Sequence, residues 1–268
     1  MTDSDAEKEI SPGDFQAHAE YFRTGESKNL IVSIDFRTRI GQVFQDIYPQ
    51  ETINRLLAGG FNPYIIGYAH PEDQADLPAI QKRLSALQQN SPRPLKIAYE
   101  IPPAQLQYIR DFLDDEKESN RTGSTRGVIP KTPSFEEYRQ RLVRNLAGQL
   151  ALWLLENGFD LVPIEHKDVQ NWIEHDKRLF PVEEDFFGER EPVEREFYTS
   201  IRRDVNGLAV LEKERPDVIC VGTLHALKYD LLLKRNGSRS YYFLEKPLDL
   251  EAIFRSEQAV HNRYRLGN

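Results

Sequence analysis

Two stretches of this chain spell nearly the same thing: Tyr64-Ile-Ile-Gly-Tyr-Ala-His70 and Val218-Ile-Cys-Val-Gly-Thr-Leu-His225. Each is an apolar, β-prone run that ends in Gly-x-x-His and leads into a segment with helical spacing. The glycine allows a sharp turn and close backbone approach. The histidine falls where a strand hands over to a helix, a common place for chemistry in an α/β protein. The likeness extends downstream. After His70 come a helix, a break and a strand ending Ile97-Ala-Tyr-Glu100-Ile-Pro; after His225 come a helix, a break and a strand ending Tyr242-Phe-Leu-Glu245-Lys-Pro. Both halves read strand, Gly-x-x-His, helix, strand, Glu, Pro.

That order predicts an α/β fold: internally duplicated strand-GxxH-helix-strand units around a central, largely parallel sheet with helices on both faces. Right-handed crossovers put the strand ends, and both histidines, on one edge. Residues 1–27 read as a polar N-terminal extension, 28–248 as a single duplicated domain, and 249–268 as a C-terminal helix and tail. Helices are expected over 72–89, 104–114, 134–157, 167–178, 195–214 and 226–235. Strands are expected at 29–35, 64–66, 95–101, 159–165, 218–221 and 240–245. Pro163 marks its strand as an edge or a strand end. The segment 114–133 is charged, then rich in Ser, Thr and Gly, and reads as a mobile loop.

The chain has 268 residues and a net charge of −8, so it lacks the basic excess of a nucleic-acid binder. No apolar run is long enough to span a membrane. The polar, acidic start is no signal peptide, and cytoplasmic placement is expected. The single cysteine, Cys220, sits in an apolar run and reads as a buried, inert thiol.

His70 and His225, with Glu100 and Glu245 at adjacent strand ends, form a set sufficient for a transition metal or for general acid/base work. Glu165, at another strand end, is a candidate general base or fourth ligand. Arg203 and Asp204 read as an ion pair or as holding the neighbouring strand ends, and as candidates to orient His225 or a substrate carboxylate; Tyr68 reads either as packing in the turn or as a donor to an oxyanion. His166 could join the site. His175 reads as a solvated helix position, and His18 and His261 as terminal residues without a role.

In the order of these pieces the chain resembles the TraB/Tiki family, part of a superfamily with EreA-type erythromycin esterases and ChaN-type haem-binding lipoproteins. The resemblance rests on five pieces: the two Gly-x-x-His runs, Ile97-Ala-Tyr-Glu100, Asn157-Gly-Phe-Asp-Leu-Val-Pro-Ile-Glu165, and Ile201-Arg-Arg-Asp204. It covers about residues 60 to 245. Arg202 stands where the family has Glu, and Tyr68 where it has a small residue. The resemblance implies a duplicated α/β core and hydrolysis of a peptide, amide or ester bond. In the Tiki branch this needs a divalent metal (Mn, Co or Zn), with His70, Glu100, His225 and Glu245 as ligands; in the esterase branch His and Glu act without one. In the ChaN branch it implies ligand binding without turnover. The expected partners are a small-molecule or peptide substrate, with a homodimer as an option. The alternative is a non-catalytic ligand-binding or regulatory protein on the same fold.

Overall fold

The computed structural model describes residues 47–68, 77–122, 137, 140, 146–179, 183–185, 188–190, 193–233, 240–242 and 250–264. The expected strand at 29–35, the N-terminal extension, the Ser134 helix start, His18, His70 and Glu245 lie outside them.

Five strands make one sheet: β1 (Tyr64–Tyr68), β2 (Lys96–Tyr99), β3 (Asp160–Pro163), β6 (Val218–Gly222) and β7 (Ser240–Tyr242), in the order β3-β2-β6-β1-β7. Every pairing is parallel. The two strands that lead into Gly-x-x-His, β1 and β6, are direct neighbours, with Tyr64 opposite Val218 and Gly67 opposite Val221. All of β6 is buried. This explains its unbroken apolar run, since a parallel strand is covered on both faces. β3 lies at the edge, where Pro163 costs no interior ladder bond. A separate antiparallel pair, β4 (Glu183–Asp185) and β5 (Gly188–Arg190), occupies the acidic stretch before 195.

The helices are α1 (Gln50–Ala58), α2 (Leu77–Gln89), α3 (Pro103–Thr122), α4 (Leu146–Glu156), α5 (Val169–Leu179), α6 (Val193–Glu214), α7 (Thr223–Leu233) and α8 (Leu250–Tyr264). α3 starts with Pro103 at its first position, where the missing N–H costs nothing. It runs on to Thr122, so residues 114–122 are helix rather than the start of a loop. The charges that suggested a loop sit on α3 as helix-compatible Glu, Lys and Arg, and Arg121 pairs with Glu118 one turn back. α4 ends at a turn through Gly158, whose φ of 76° favours glycine. Among the described residues no helix is long and apolar enough to cross a membrane.

The connections β1–α2–β2 and β6–α7–β7 cross the sheet in opposite directions, each passing over the first strand of the other. Right-handed crossovers then put α2 and α7 on opposite faces. The contacts agree: α7 packs on β1, β6 and α1, whereas α2 packs on α4. α6 touches α1, α5 and α8. At the N-terminal edge Asp217 ties three strands together. Its N–H donates to Lys96 O at 2.8 Å, its carbonyl accepts from Tyr64 N at 2.9 Å, and its carboxylate accepts from Lys96 N and from Arg93.

Gly207 brings α6 close to α7. A Cβ there would sit 1.9 Å from the Tyr229 hydroxyl and 3.3 Å from Ile164 Cδ1. Gly207→Ala should therefore destabilise the protein by about 1–3 kcal/mol in urea unfolding, and by clearly less in a Tyr229→Phe background. An equal cost in both backgrounds would show that the hydroxyl is not what the methyl meets.

Candidate active site

All strands of the main sheet point the same way, so their C-terminal ends share one edge. The candidate residues gather there. β2 runs directly into Glu100, and Glu165 follows β3 after Ile164. β6 passes into α7 without a loop, which sets His225 in the first turn of that helix. Glu100 Oε2 accepts from Gly222 N at 2.6 Å, so a strand-end carboxylate sits on the N-terminus of α7, where the helix dipole favours negative charge. α6 closes the site from the side. Asn206 Nδ2 donates to Ile164 O at 2.9 Å, which fixes α6 beside the end of β3.

Arg203 and Asp204 are consecutive on α6 and serve two different groups. The Arg203 guanidinium pairs with both Glu100 and Glu165, and its Nε donates to Glu165 Oε1 at 2.8 Å. Burial works against its charge, but the carboxylates of Glu100, Glu165 and Asp204 outweigh that and hold it above its ordinary value. Asp204 is fully buried. Its Oδ1 lies 2.5 Å from His225 Nδ1, and its Oδ2 pairs with the Lys228 ammonium. Burial alone would raise the Asp204 carboxyl; its electrostatic interactions and hydrogen bonds with His225, which carries a full charge only when protonated, and with the Lys228 ammonium prevail and keep it below the ordinary carboxylate value. A carboxylate can only accept, so the proton of neutral His225 resides on Nδ1. Nε2 then carries a lone pair, 3.9 Å from Glu100 Oε1.

Behind this lies a set of groups that motif reasoning passed over. Lys228 Nζ reaches Glu257 Oε1 of α8 at 2.6 Å and donates to Ser200 Oγ at 2.6 Å. The Tyr48 hydroxyl donates to Glu257 Oε2 at 3.2 Å and lies 3.4 Å from Asp204 Oδ2. Lys228, Asp204 and Glu257 are all buried from solvent. Burial opposes the Lys228 charge, yet Asp204 and Glu257 raise it above its ordinary value. Glu257 is pushed upward, first by burial.

The other candidates fall differently. Tyr68, at the end of β1, is buried and stacks on Tyr99 of β2 with ring centroids 6.2 Å apart, a core position. His166 stacks on Trp172 at 4.2 Å, and the Arg202 guanidinium lies over the same ring at 4.4 Å. Arg202 also donates to the buried Asp176 at 3.0 Å. Arg202 thus joins α6 to α5 and leaves Glu100 and Glu165 to Arg203. His175 is solvated and lies 3.1 Å from Asp176. Cys220 is buried, and burial pushes its thiol up, as an inert cysteine requires. A cavity of about 700 Å³ opens at the opposite, N-terminal edge, beside Phe61, Arg83, Asn90 and Arg215.

The donor set bears on the metal expectation. Among the described residues no group of three or more His, Cys, Asp or Glu is placed to hold an ion. Arg203 already lies between Glu100 and Glu165 as their counter-charge. One imidazole nitrogen and two carboxylates bound to a guanidinium do not fit a divalent ion as they stand. The other two ligands implied by the resemblance, His70 and Glu245, lie outside the described residues. No family model, curated protein or solved structure matches this chain.

The depressed Asp204 carboxyl makes a signed prediction. An unfolded Asp takes up its proton near about pH 3.9; folded Asp204 does so only at lower pH. Its stabilisation is complete above the unfolded value and is lost as the pH falls through the folded one. Asp204→Asn should be less stable than wild type at neutral pH, with the gap narrowing in denaturant melts below about pH 4. A gap that stays constant across the acid range would show that the folded carboxylate is not so held.

Proposed function

We propose that this chain is a TraB/Tiki-like hydrolase that cleaves an ester, amide or peptide bond by general-base chemistry, in the manner of the metal-free esterase branch. The observation that carries the reading is the 2.5 Å bond between Asp204 and His225 Nδ1, which leaves Nε2 facing Glu100 Oε1 at 3.9 Å. Two acceptors at that separation can share one donor, a water molecule held between them. His225 takes the proton of that water as it attacks the carbonyl, and Asp204 stabilises the imidazolium that forms. Glu100 orients the water. Arg203, a quarter exposed, faces the charge that develops on the carbonyl oxygen. Proton transfer from His225 to the leaving group completes the cycle.

The strand order supports the finer reading of an internal duplication. A two-fold axis parallel to the strands, between β6 and β1, exchanges those two strands and also exchanges β2 with β7. The opposite directions of the two crossovers obey the same axis. Cytoplasmic placement is proposed on composition alone.

A second reading, a ligand-binding or regulatory protein on this fold, is favoured by one observation. Arg203 engages both Glu100 and Glu165, so one cation already bridges those two carboxylates before any ligand arrives.

The test is turnover of aryl esters and peptide anilides by the purified chain, with and without EDTA and with added Mn, Co or Zn. We expect EDTA-insensitive hydrolysis, with His225→Ala lowering kcat on the order of 10²–10⁴-fold in protein that circular dichroism shows to be folded at the assay temperature, although its melting temperature falls because Asp204 Oδ1 loses its partner. An unchanged rate in His225→Ala would sink the general-base reading. Activity that EDTA abolishes and a metal restores would move the chain to the metal-dependent branch. Absence of turnover on every class would favour the binding protein.

A further inference from the structure

We propose that Lys228 is a positioning residue that locks His225 in its Nδ1–H tautomer through Asp204, with α8 completing the lock through Glu257. The inference rests on the reading of His225 as the general base. Four segments meet at this point: Tyr48 before α1, Ser200 and Asp204 on α6, His225 and Lys228 on α7, and Glu257 on α8.

His225 and Lys228 are three residues apart on α7 and stand on the same face of that helix. Asp204 fits between them, with Oδ1 on the imidazole and Oδ2 on the ammonium. Glu257 and Ser200 take further Lys228 donors, each at 2.6 Å. An ammonium has three donors and no acceptor, and here Asp204, Glu257 and Ser200 account for all three. Lys228 therefore has no freedom to turn away, and it holds Asp204 ionised with Oδ1 toward the imidazole.

Without the ammonium, Asp204 is a fully buried carboxylate whose other hydrogen-bond partners are the Tyr48 hydroxyl and His225, with the Arg203 charge engaged by Glu100 and Glu165 and the Glu257 carboxylate opposing its ionisation. Such a group takes up a proton rather than remain charged. Protonated Asp204 donates to Nδ1 instead of accepting from it. The imidazole proton then moves to Nε2, and the lone pair that faces Glu100 is lost. The tautomer of the base is thus set by a lysine that approaches neither the substrate nor the water.

The experiment reads the tautomer directly, by ¹H–¹⁵N spectra of histidine-labelled full-length protein at a pH where His225 is neutral. The His225 signal is the one missing from the spectrum of His225→Gln. In wild type Nε2 should resonate as a bare, pyridine-like nitrogen. In Lys228→Met it should move to the pyrrole-like position of a protonated nitrogen, and kcat should fall on the order of 10²-fold. Should Lys228→Met fail to fold, Lys228→Met/Glu257→Met replaces the whole buried pair with apolar side chains, an exchange that proteins often tolerate; the same tautomer shift is expected. Glu257→Gln leaves Lys228 on Asp204 and should keep the wild-type tautomer. A pyridine-like Nε2 in either Lys228 variant overturns the proposal, as does loss of the wild-type tautomer in Glu257→Gln. The tautomer is read without turnover, so it can fail while His225 remains essential, or hold in a protein that hydrolyses nothing.

Discussion

The Asp204 carboxylate is buried among three helices, and a charge in that position is costly unless every oxygen is answered. Both are: one by the His225 imidazole and one by the Lys228 ammonium. The arrangement of the rest follows from this. The imidazole must come from the first turn of α7, because that is where β6 delivers it. The ammonium must come from one turn further along the same helix. α6 must lie close enough to reach both, which requires Gly207 to accept the Tyr229 hydroxyl against its backbone. With Asp204 so placed, the adjacent Arg203 projects to another side of α6 and meets Glu100 and Glu165 at the sheet edge. One helix thereby supplies a cation to the front of the site and an anion to its back.

Lys228 is shared between two buried carboxylates, and one positive charge does not fully neutralise two. Asp204 also has His225 and remains below the ordinary carboxylate value. Glu257 has the Tyr48 hydroxyl as its second partner and is pushed upward, with burial as the leading cause and the Asp204 charge adding to it. The difference between the two carboxylates is one of neighbours. It gives the network a direction, with the more firmly ionised member beside the imidazole. Tyr48 is itself driven well above its ordinary value, first by burial and then by Glu257 and Asp204, so it stays a neutral donor.

Much of the fold was legible because parallel sheets write themselves as apolar runs separated by helical periodicity. β1, β2, β3 and β6 lie where the runs lie, and Pro163, which pointed to an edge or a strand end, is the last residue of the edge strand β3. That Glu100, Glu165 and His225 share one edge follows from their places after strands of a parallel sheet, which depend only on element order, whereas Arg203 and Asp204 reach that edge from α6. What the chain did not announce was the back of the site. Lys228, Glu257 and Tyr48 belong to no motif, and a lysine or glutamate on a helix ordinarily faces water. α7 in fact buries nearly its whole circumference, Lys228 and Asp230 included, so its polar residues carry none of the usual meaning of a solvated face. The length of α3 was obscured for the opposite reason: it is a charged helix whose outer side does face water, and its composition is that of a loop.

Arg202 and Arg203 show how little a motif match fixes without the helix around it. They are consecutive and chemically identical, and about 100° of rotation separates them. That rotation sends Arg202 to the Trp172 ring and Asp176 on α5, and Arg203 to the two strand-end carboxylates. A glutamate at 202 would meet Asp176 and lose the stacking on Trp172, so an arginine there is what the α5–α6 contact requires. Arginine at this position is accounted for by packing between two helices. The counter-charge to Glu100 and Glu165 comes from 203, and the carboxylate on the imidazole comes from 204. The chemistry of the site therefore turns on those two positions, and the identity of residue 202 bears on how α6 is held rather than on what it presents.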